Sequence, residues 1–166
     1  MRPAACPADV ILNPADRAAL TDLVHRYAAS IDDRQFHCVA KLFTESAELR
    51  LPDPPTTLEP VHSHRGHGGI GEAVATVAAT IRTQHVIAGE VYDPGPQPGT
   101  ARGRIAGIAH HWIQHDDQIR DMMWYLHYDD DYQLTDTGWR IALRALTINA
   151  IEVRPVRQVR FGRPSA

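Results

Sequence analysis

The fold is decided by residues 100–154, which read TARGRIAGIAHHWIQHDDQIRDMMWYLHYDDDYQLTDTGWRIALRALTINAIEVR. Apolar and polar residues alternate along much of this stretch, as they do in a strand that packs one face against a core. Two turn signals interrupt the alternation, Asp116-Asp117 and Thr135-Asp136-Thr137-Gly138. The pattern therefore predicts three long consecutive strands joined by hairpins, over 100–114, 119–135 and 138–154.

Toward the N-terminus from residue 100, the spacing of the apolar residues changes from that of strands to that of helices. A further strand is expected over 84–93, ahead of the turn Asp93-Pro94-Gly95-Pro96. Asn13 followed by Pro14 is typical of a helix start, because asparagine caps the first turn and proline fits its first position. The remaining expected elements are a helix over 14–31, a short helix over 34–43, a strand over 46–51, a loop over 52–60, and a third helix that follows Gly66–Gly71 and carries Ile70 to Ile81.

Helices that come first and long hairpin-connected strands that come last predict an α+β fold. We expect a cone-shaped α+β barrel, with three N-terminal helices packed on a curved mixed, mostly antiparallel sheet. Long strands twist and curl, and a curled sheet capped by helices encloses a pocket. The expected organisation is a flexible tail over 1–12, one domain over 13–154 and a C-terminal tail over 155–166.

Composition excludes several classes of function. The chain has 166 residues, 43% of them hydrophobic, and a formal net charge of −3, which does not suggest a nucleic-acid partner. No apolar run reaches transmembrane length and the N-terminus lacks the apolar core of a signal peptide, so no membrane partner is expected. The two cysteines, Cys6 and Cys38, form no disulfide framework and are expected to be free thiols, which favours a cytoplasmic protein.

Asp32 and His85 are the candidate catalytic residues. Asp32 lies just past the last apolar position of the first helix, and His85 lies at the start of a strand, after Thr83-Gln84. A carboxylate beside a histidine fixes one tautomer and leaves the other ring nitrogen free to remove a proton. Spacing alone leaves open that Asp32 is a surface residue at a helix end and His85 an ordinary strand residue.

Further candidates for binding substrate, or for stabilising an oxyanion, are Tyr27, His110, His111 and Tyr128. Strand alternation places His111 with small residues on one face and His110 with arginines on the other, so His111 is the one expected to face the pocket; the register between the two stays open. No metal site is expected, because the histidines at 62, 64 and 67 lie in a Pro/Gly-rich segment without a zinc-binding signature.

Three segments carry a resemblance to a known family. They are Arg26-Tyr27-Ala28-Ala29-Ser30-Ile31-Asp32-Asp33-Arg34-Gln35-Phe36, Arg82-Thr83-Gln84-His85-Val86-Ile87-Ala88-Gly89, and Tyr128 to Tyr132 with Gly138-Trp139-Arg140-Ile141. Together they resemble the SnoaL-like branch of the NTF2-like superfamily, and most of all its scytalone dehydratase and hexachlorocyclohexane dehydrochlorinase members. The resemblance implies that Asp32 and His85 form a catalytic dyad. Ile31 and Leu51 depart from the pattern, since scytalone dehydratase has tyrosines there.

The function expected from these features is that of a cofactor-independent lyase, similar to a dehydratase, which acts on a small cyclic or polyketide-like hydrophobic compound. An isomerase or polyketide cyclase of the same fold stays open, as does a non-catalytic module that binds small molecules. The arginines are expected to point outward from their strand positions, which argues against the Asp–Arg–Asp cluster of an epoxide hydrolase. Apolar residues on both faces of the strand that contains Met122, Met123 and Trp124 favour a homo-oligomer, a dimer or trimer.

Overall fold

The computed structural model describes residues 12–161 of the chain and shows three α-helices against one six-stranded sheet. The element bounds are α1 Pro14–Asp32, α2 Phe36–Ala40, β1 Phe43–Asp53, β2 Thr57–Arg65, α3 Gly66–Ala75, a 3-10 helix Thr76–Ala79, β3 Arg82–Pro94, β4 Thr100–His115, β5 Gln118–Thr135 and β6 Gly138–Val156. The strand order is β2-β1-β6-β5-β4-β3, in which only β1 and β6 are parallel. The expected α+β class and mixed, mostly antiparallel sheet are confirmed.

Helix α1 forms as its sequence predicts. The Asn13 side chain accepts a hydrogen bond from the Asp16 backbone N–H at 2.8 Å and so caps the first turn. The indole of Trp139 on β6 donates to Asp16 at 2.8 Å and ties the helix to the sheet. The helix ends where Arg34 takes a left-handed backbone conformation with φ 61°. Its buried face comprises Leu20, Leu23, Val24, Tyr27, Ala28 and Ile31.

The segment between β1 and β3 differs from the sequence-based expectation. Residues 57–65, partly assigned to a loop, form strand β2, which pairs with β1 alone and lies at the edge of the sheet. An edge strand accommodates Pro60, because one side of its backbone needs no partner. The glycine-rich run does not precede α3 but forms its first turns. Gly66 begins that helix at φ 65°, where a side chain would be strained and its Cβ would lie 3.3 Å from the Glu45 carbonyl oxygen.

The long strands curl around α1 and α3 and leave a concave face toward them. Strands β4, β5 and β6 have 16, 18 and 19 residues, and β5 and β6 change register at Tyr125/Leu126 and Asp131/Tyr132. Such bulges bend strands and increase their twist. Close packing on the concave face requires Gly103, since a Cβ there would lie 2.7 Å from the Tyr132 ring.

The two expected tails lie partly outside residues 12–161. Of the expected tail over 1–12 only Leu12 belongs to the described residues, and Cys6 does not. At the other end β6 continues to Val156, two residues beyond the expected domain boundary, and Val159 is buried. The domain boundaries therefore stay a prediction. Among residues 12–161, no helix is long and apolar enough to cross a membrane.

Candidate active site

A cavity of about 220 Å³ lies between the concave face of the sheet and the helices. Most of its wall is apolar, and five aromatic side chains with a nitrogen or oxygen atom stand among the aliphatic ones: Tyr27, His85, His111, Trp124 and Tyr128. The aliphatic and other lining residues are Ile31, Leu51, Ala73, Val74, Thr76, Val77, Thr80, Ala109, Met122, Leu126 and Leu146. An apolar cavity with a few convergent polar groups is the usual form of a small-molecule site.

The structure brings Asp32 and His85 into direct contact. Asp32 lies at the last position of α1 and His85 near the start of β3. Nδ1 of His85 lies 2.7 Å from Oδ1 of Asp32, and the backbone N–H of His85 donates to Oδ2 at 2.8 Å. The Thr83 hydroxyl also donates to Oδ1, at 2.9 Å. With Nδ1 occupied, Nε2 is the ring nitrogen left for a ligand in the cavity that His85 lines.

The Asp32 carboxylate is held in its ionised form. Its side chain is 18% exposed, and that of His85 is 11% exposed. Burial by itself raises the pKa of Asp32, but the hydrogen bonds from His85 and Thr83 and the charge of the imidazole together lower the pKa below its usual 3.8. An anionic Asp32 can orient the imidazole and balance the positive charge that forms when His85 takes up a proton.

His111 is a neutral acceptor beside the dyad. Its ring lies 6.2 Å from that of His85 in an edge-to-face arrangement and 4.4 Å from that of Trp124. Burial, and next the charge of His85, lower the pKa of His111 to about 4. Because Nδ1 lies 3.2 Å from the Met122 carbonyl oxygen and must donate to it, Nε2 carries no proton in the neutral ring. His111 is among the candidates for stabilising an oxyanion, but this tautomer accepts hydrogen bonds at Nε2.

Tyr27 and Tyr128 stand on either side of a fully buried arginine. The guanidinium carbon of Arg144, which is 0% exposed, lies 4.2 Å from the Tyr27 ring centre and 4.3 Å from the Tyr128 ring centre. Asp130 accepts two hydrogen bonds from Arg144, at 2.9 and 2.6 Å. Burial raises the pKa of both tyrosines. Their phenols are therefore protonated at neutral pH and can donate.

Sequence reasoning missed the Asp130–Arg144 pair. Three consecutive aspartates at 129–131 are typical of a solvated hairpin, yet Asp130 is only 3% exposed. Outward-facing arginines were expected, which is wrong for Arg144. A signal was present in the strand period, since Asp130 shares its face with Tyr128 and Tyr132, two residues on either side.

His110 does not belong to the cavity. It lies on the opposite face of β4, as alternation with the inward His111 requires, and its Nδ1 lies 2.8 Å from Oδ2 of Asp121. Its ring stacks on Trp112 at 5.5 Å. The candidate role of His110 in substrate binding is therefore not supported by its position.

His62 and His64 lie on β2 and His67 on α3, and residues 12–161 contain no group of three metal-ligating side chains with suitable geometry.

Comparison with known proteins identifies the family and the fold. A model of the SnoaL-like domain matches residues 14–145. The chain belongs to the SnoaL-like domain family. Its fold is NTF2-like, as the resemblance of the sequence implied. The sequence gives no match among curated proteins.

Solved structures with the same fold cover nearly the whole chain. A proposed aromatic ring hydroxylase from Novosphingobium aromaticivorans is 22% identical, with 88% of this chain and 96% of that one covered and a TM-score of 0.72. A proposed scytalone dehydratase from the same organism is 18% identical, with 90% and 93% covered and a TM-score of 0.71. A type 2 hexachlorocyclohexane dehydrochlorinase is 19% identical, with 92% and 96% covered and a TM-score of 0.68. At these identities the similarity shows the fold alone.

Proposed function

We propose that this protein is a cofactor-independent lyase that eliminates water, or a comparable small group, from a cyclic or polyketide-like hydrophobic compound. The observation that carries the proposal is the 2.7 Å contact between His85 Nδ1 and Asp32 Oδ1 at the wall of an apolar cavity. The dehydratase and dehydrochlorinase among the structural relatives, which both eliminate a small group by their names, support the same class.

His85 acts as the base in this proposal. Its Nε2 removes a proton from a carbon atom of the bound compound, and the electron pair of the C–H bond forms the new double bond as the leaving group departs. Asp32 keeps Nδ1 protonated and stabilises the imidazolium that results. Since a general base of this kind contributes roughly 10²–10⁴-fold to a rate, losing it is measurable.

The other polar groups of the cavity divide into donors and an acceptor. The phenols of Tyr27 and Tyr128 can donate to a departing hydroxide or to an oxygen that gains negative charge. His111 Nε2 can accept a hydrogen bond from a hydroxyl group of the substrate. Because His111 stays neutral well below pH 7, it does not serve as the acid. A substrate with a carbonyl or leaving oxygen near the phenols and a hydroxyl near His111 would satisfy both sides.

An isomerase or cyclase is the second candidate, and the same observations favour it. A base and phenol donors in one cavity are also the parts needed to move a proton between two carbon atoms through an enolate. The two reactions share the first step and differ in whether a group leaves. Detection of a product that has lost water, against one of unchanged mass, separates them.

The test is turnover on a panel of cyclic hydroxyketones, with proton exchange from D2O into the unreacted compound as a second readout. We expect His85→Gln to lower turnover and exchange by roughly 10²-fold or more, and Asp32→Asn by a similar or smaller factor. Matched controls are His110→Gln, which removes a histidine in a like contact with an aspartate on the opposite face, and Asp33→Asn, the exposed neighbour of Asp32. Near-normal turnover in His85→Gln would refute base catalysis, and the fold would then serve as a binding module.

A further inference from the structure

A second recess adjoins the Asp32–His85 pair and is rich in arginine. It has a volume of about 410 Å³ and is lined by Arg34, Arg82 and Arg160 together with Asp32 and Asp33. Asp32 thus borders this recess, whereas His85 lines the apolar cavity described above. Arg160 comes from the segment after β6, so three separate parts of the chain contribute one arginine each.

The three guanidinium groups have no ion-pair partner within the described part of the chain. The arginine salt bridges of residues 12–161 all involve other arginines. Both oxygens of Asp32 accept hydrogen bonds from His85 and Thr83, and neither forms a salt bridge with these arginines. Asp33 is the second acidic group in the recess, and it is exposed. Three arginines against two aspartates leave a surplus of one positive charge.

Arg34 is fixed in place by the chain itself. Its Nη1 donates to the Val77 carbonyl oxygen at 2.5 Å, and its Nη2 donates to the carbonyl oxygen and the hydroxyl of Thr80, both at 3.0 Å. Burial and the nearby charge of Arg82 lower the pKa of Arg34, while Asp32 opposes them. Arg34 and Arg82 thus place two like charges at half-buried positions beside the single carboxylate of Asp32, and a bound anion would reduce the repulsion that remains.

We propose that this recess binds the oxyanion group, carboxylate or phosphate, of a small molecule. Guanidinium groups present paired N–H donors that match the oxygens of both anions, and several of them around one space form a site of this class. Phe161, whose side chain is 69% exposed, lines the same recess and offers an aromatic surface to the body of the ligand. The site is separate from the chemistry proposed for the cavity and stands without it.

The test is titration of the full chain with inorganic phosphate and, in a parallel series, with acetate, at constant ionic strength in sodium chloride. The arginine Nε–H signals in NMR spectra report binding. We expect saturable shifts at millimolar concentrations of one or both anions, and the anion that saturates at the lower concentration identifies the ligand chemistry. Arg82→Gln and Arg160→Gln should each weaken binding about fivefold, as expected for one half-exposed charged contact. Asp33→Asn should strengthen binding, because it removes a like charge from the recess.

Arg157→Gln is the matched control, since Arg157 is an exposed arginine of the same segment that does not line the recess. It should leave the affinity unchanged, because its side chain does not line the recess. Shifts that grow linearly without saturation would overturn the proposal. An Arg157→Gln effect equal to that of Arg160→Gln would overturn it as well, because it would reveal attraction to net charge rather than a site.

Discussion

The histidine next to the dyad makes the stability of the protein depend on pH in a defined window. His111 is 5% exposed, and its pKa is lowered from 6.5 to about 4, first by burial and then by the charge of His85. The folded state therefore holds His111 neutral, whereas the unfolded chain binds a proton below pH 6.5. The perturbation that tests this is His111→Gln, which removes the titrating group and keeps an N–H donor for the Met122 carbonyl.

The size of the effect follows from the two pKa values. At pH 5 the unfolded chain is almost fully protonated at this histidine and the folded chain almost fully neutral. The wild-type free energy of unfolding should accordingly drop by about 2 kcal/mol between pH 7 and pH 5 because of His111, and by about 3 kcal/mol in total once pH 4 is passed. The Asp32 contribution is lost as the pH falls below its unfolded pKa of 3.8 toward its lower folded pKa, which lies outside the window between pH 7 and pH 5.

The assay is urea denaturation at pH 7, 6 and 5, followed by tryptophan fluorescence. His111→Gln should lose about 2 kcal/mol less than the wild type between pH 7 and pH 5. His62→Gln is the matched control, since His62 is exposed on β2, and the stability of this variant should depend on pH as that of the wild type does. Equal pH dependence in the wild type and His111→Gln would refute the assignment of a buried neutral His111.

Three further predictions concern the sheet, α3 and assembly. Asp130→Asn should cost roughly 3–5 kcal/mol in urea denaturation because it leaves the charge of Arg144 buried without its partner, whereas Asp129→Asn should cost less than about 1 kcal/mol. Gly66→Ala should lower the melting temperature, owing to φ 65° and the nearby Glu45 carbonyl. Gly68→Ala, with open space around its Cβ, should raise the melting temperature through a gain of roughly 0.5–1 kcal/mol in the free energy of unfolding. Light scattering at micromolar concentration should give two or three times the chain mass of 18.5 kDa, and a monomeric mass would contradict the expected homo-oligomer.

The periodicity of apolar residues predicts the helices and strands that have one buried and one exposed face. It fails for strand β2, whose proline is typical of a loop. Helix α1 and strands β3 to β6 agree with expectation because alternation or helical spacing repeats over many residues. Strand β2 was missed because Pro60 and the prolines before it signal a loop, and only its edge position makes a strand compatible with them. The Asp32–His85 contact joins residues 53 apart in sequence. Its prediction therefore depended on the resemblance to a family and not on a local pattern.

The acidic run on β5 shows a different limit. By composition, three consecutive aspartates predict a solvated surface. The alternation of side chains along a strand nevertheless directs the middle one, Asp130, into the core. Whether an inward carboxylate is tolerated depends on a partner from another strand, here Arg144 on β6. Such a pairing is a property of the register between strands, which a single sequence does not contain.

The strand order has a consequence for how the chain reaches its fold during synthesis. Strand β6 is the last to be made, yet it lies in the interior of the sheet, between β1 and β5. Until its residues leave the ribosome, the β1–β2 hairpin and the β3–β5 meander have no strand to join them, and both expose an unpaired edge. The last of the six strands to be made is therefore the one that joins the two parts of the sheet.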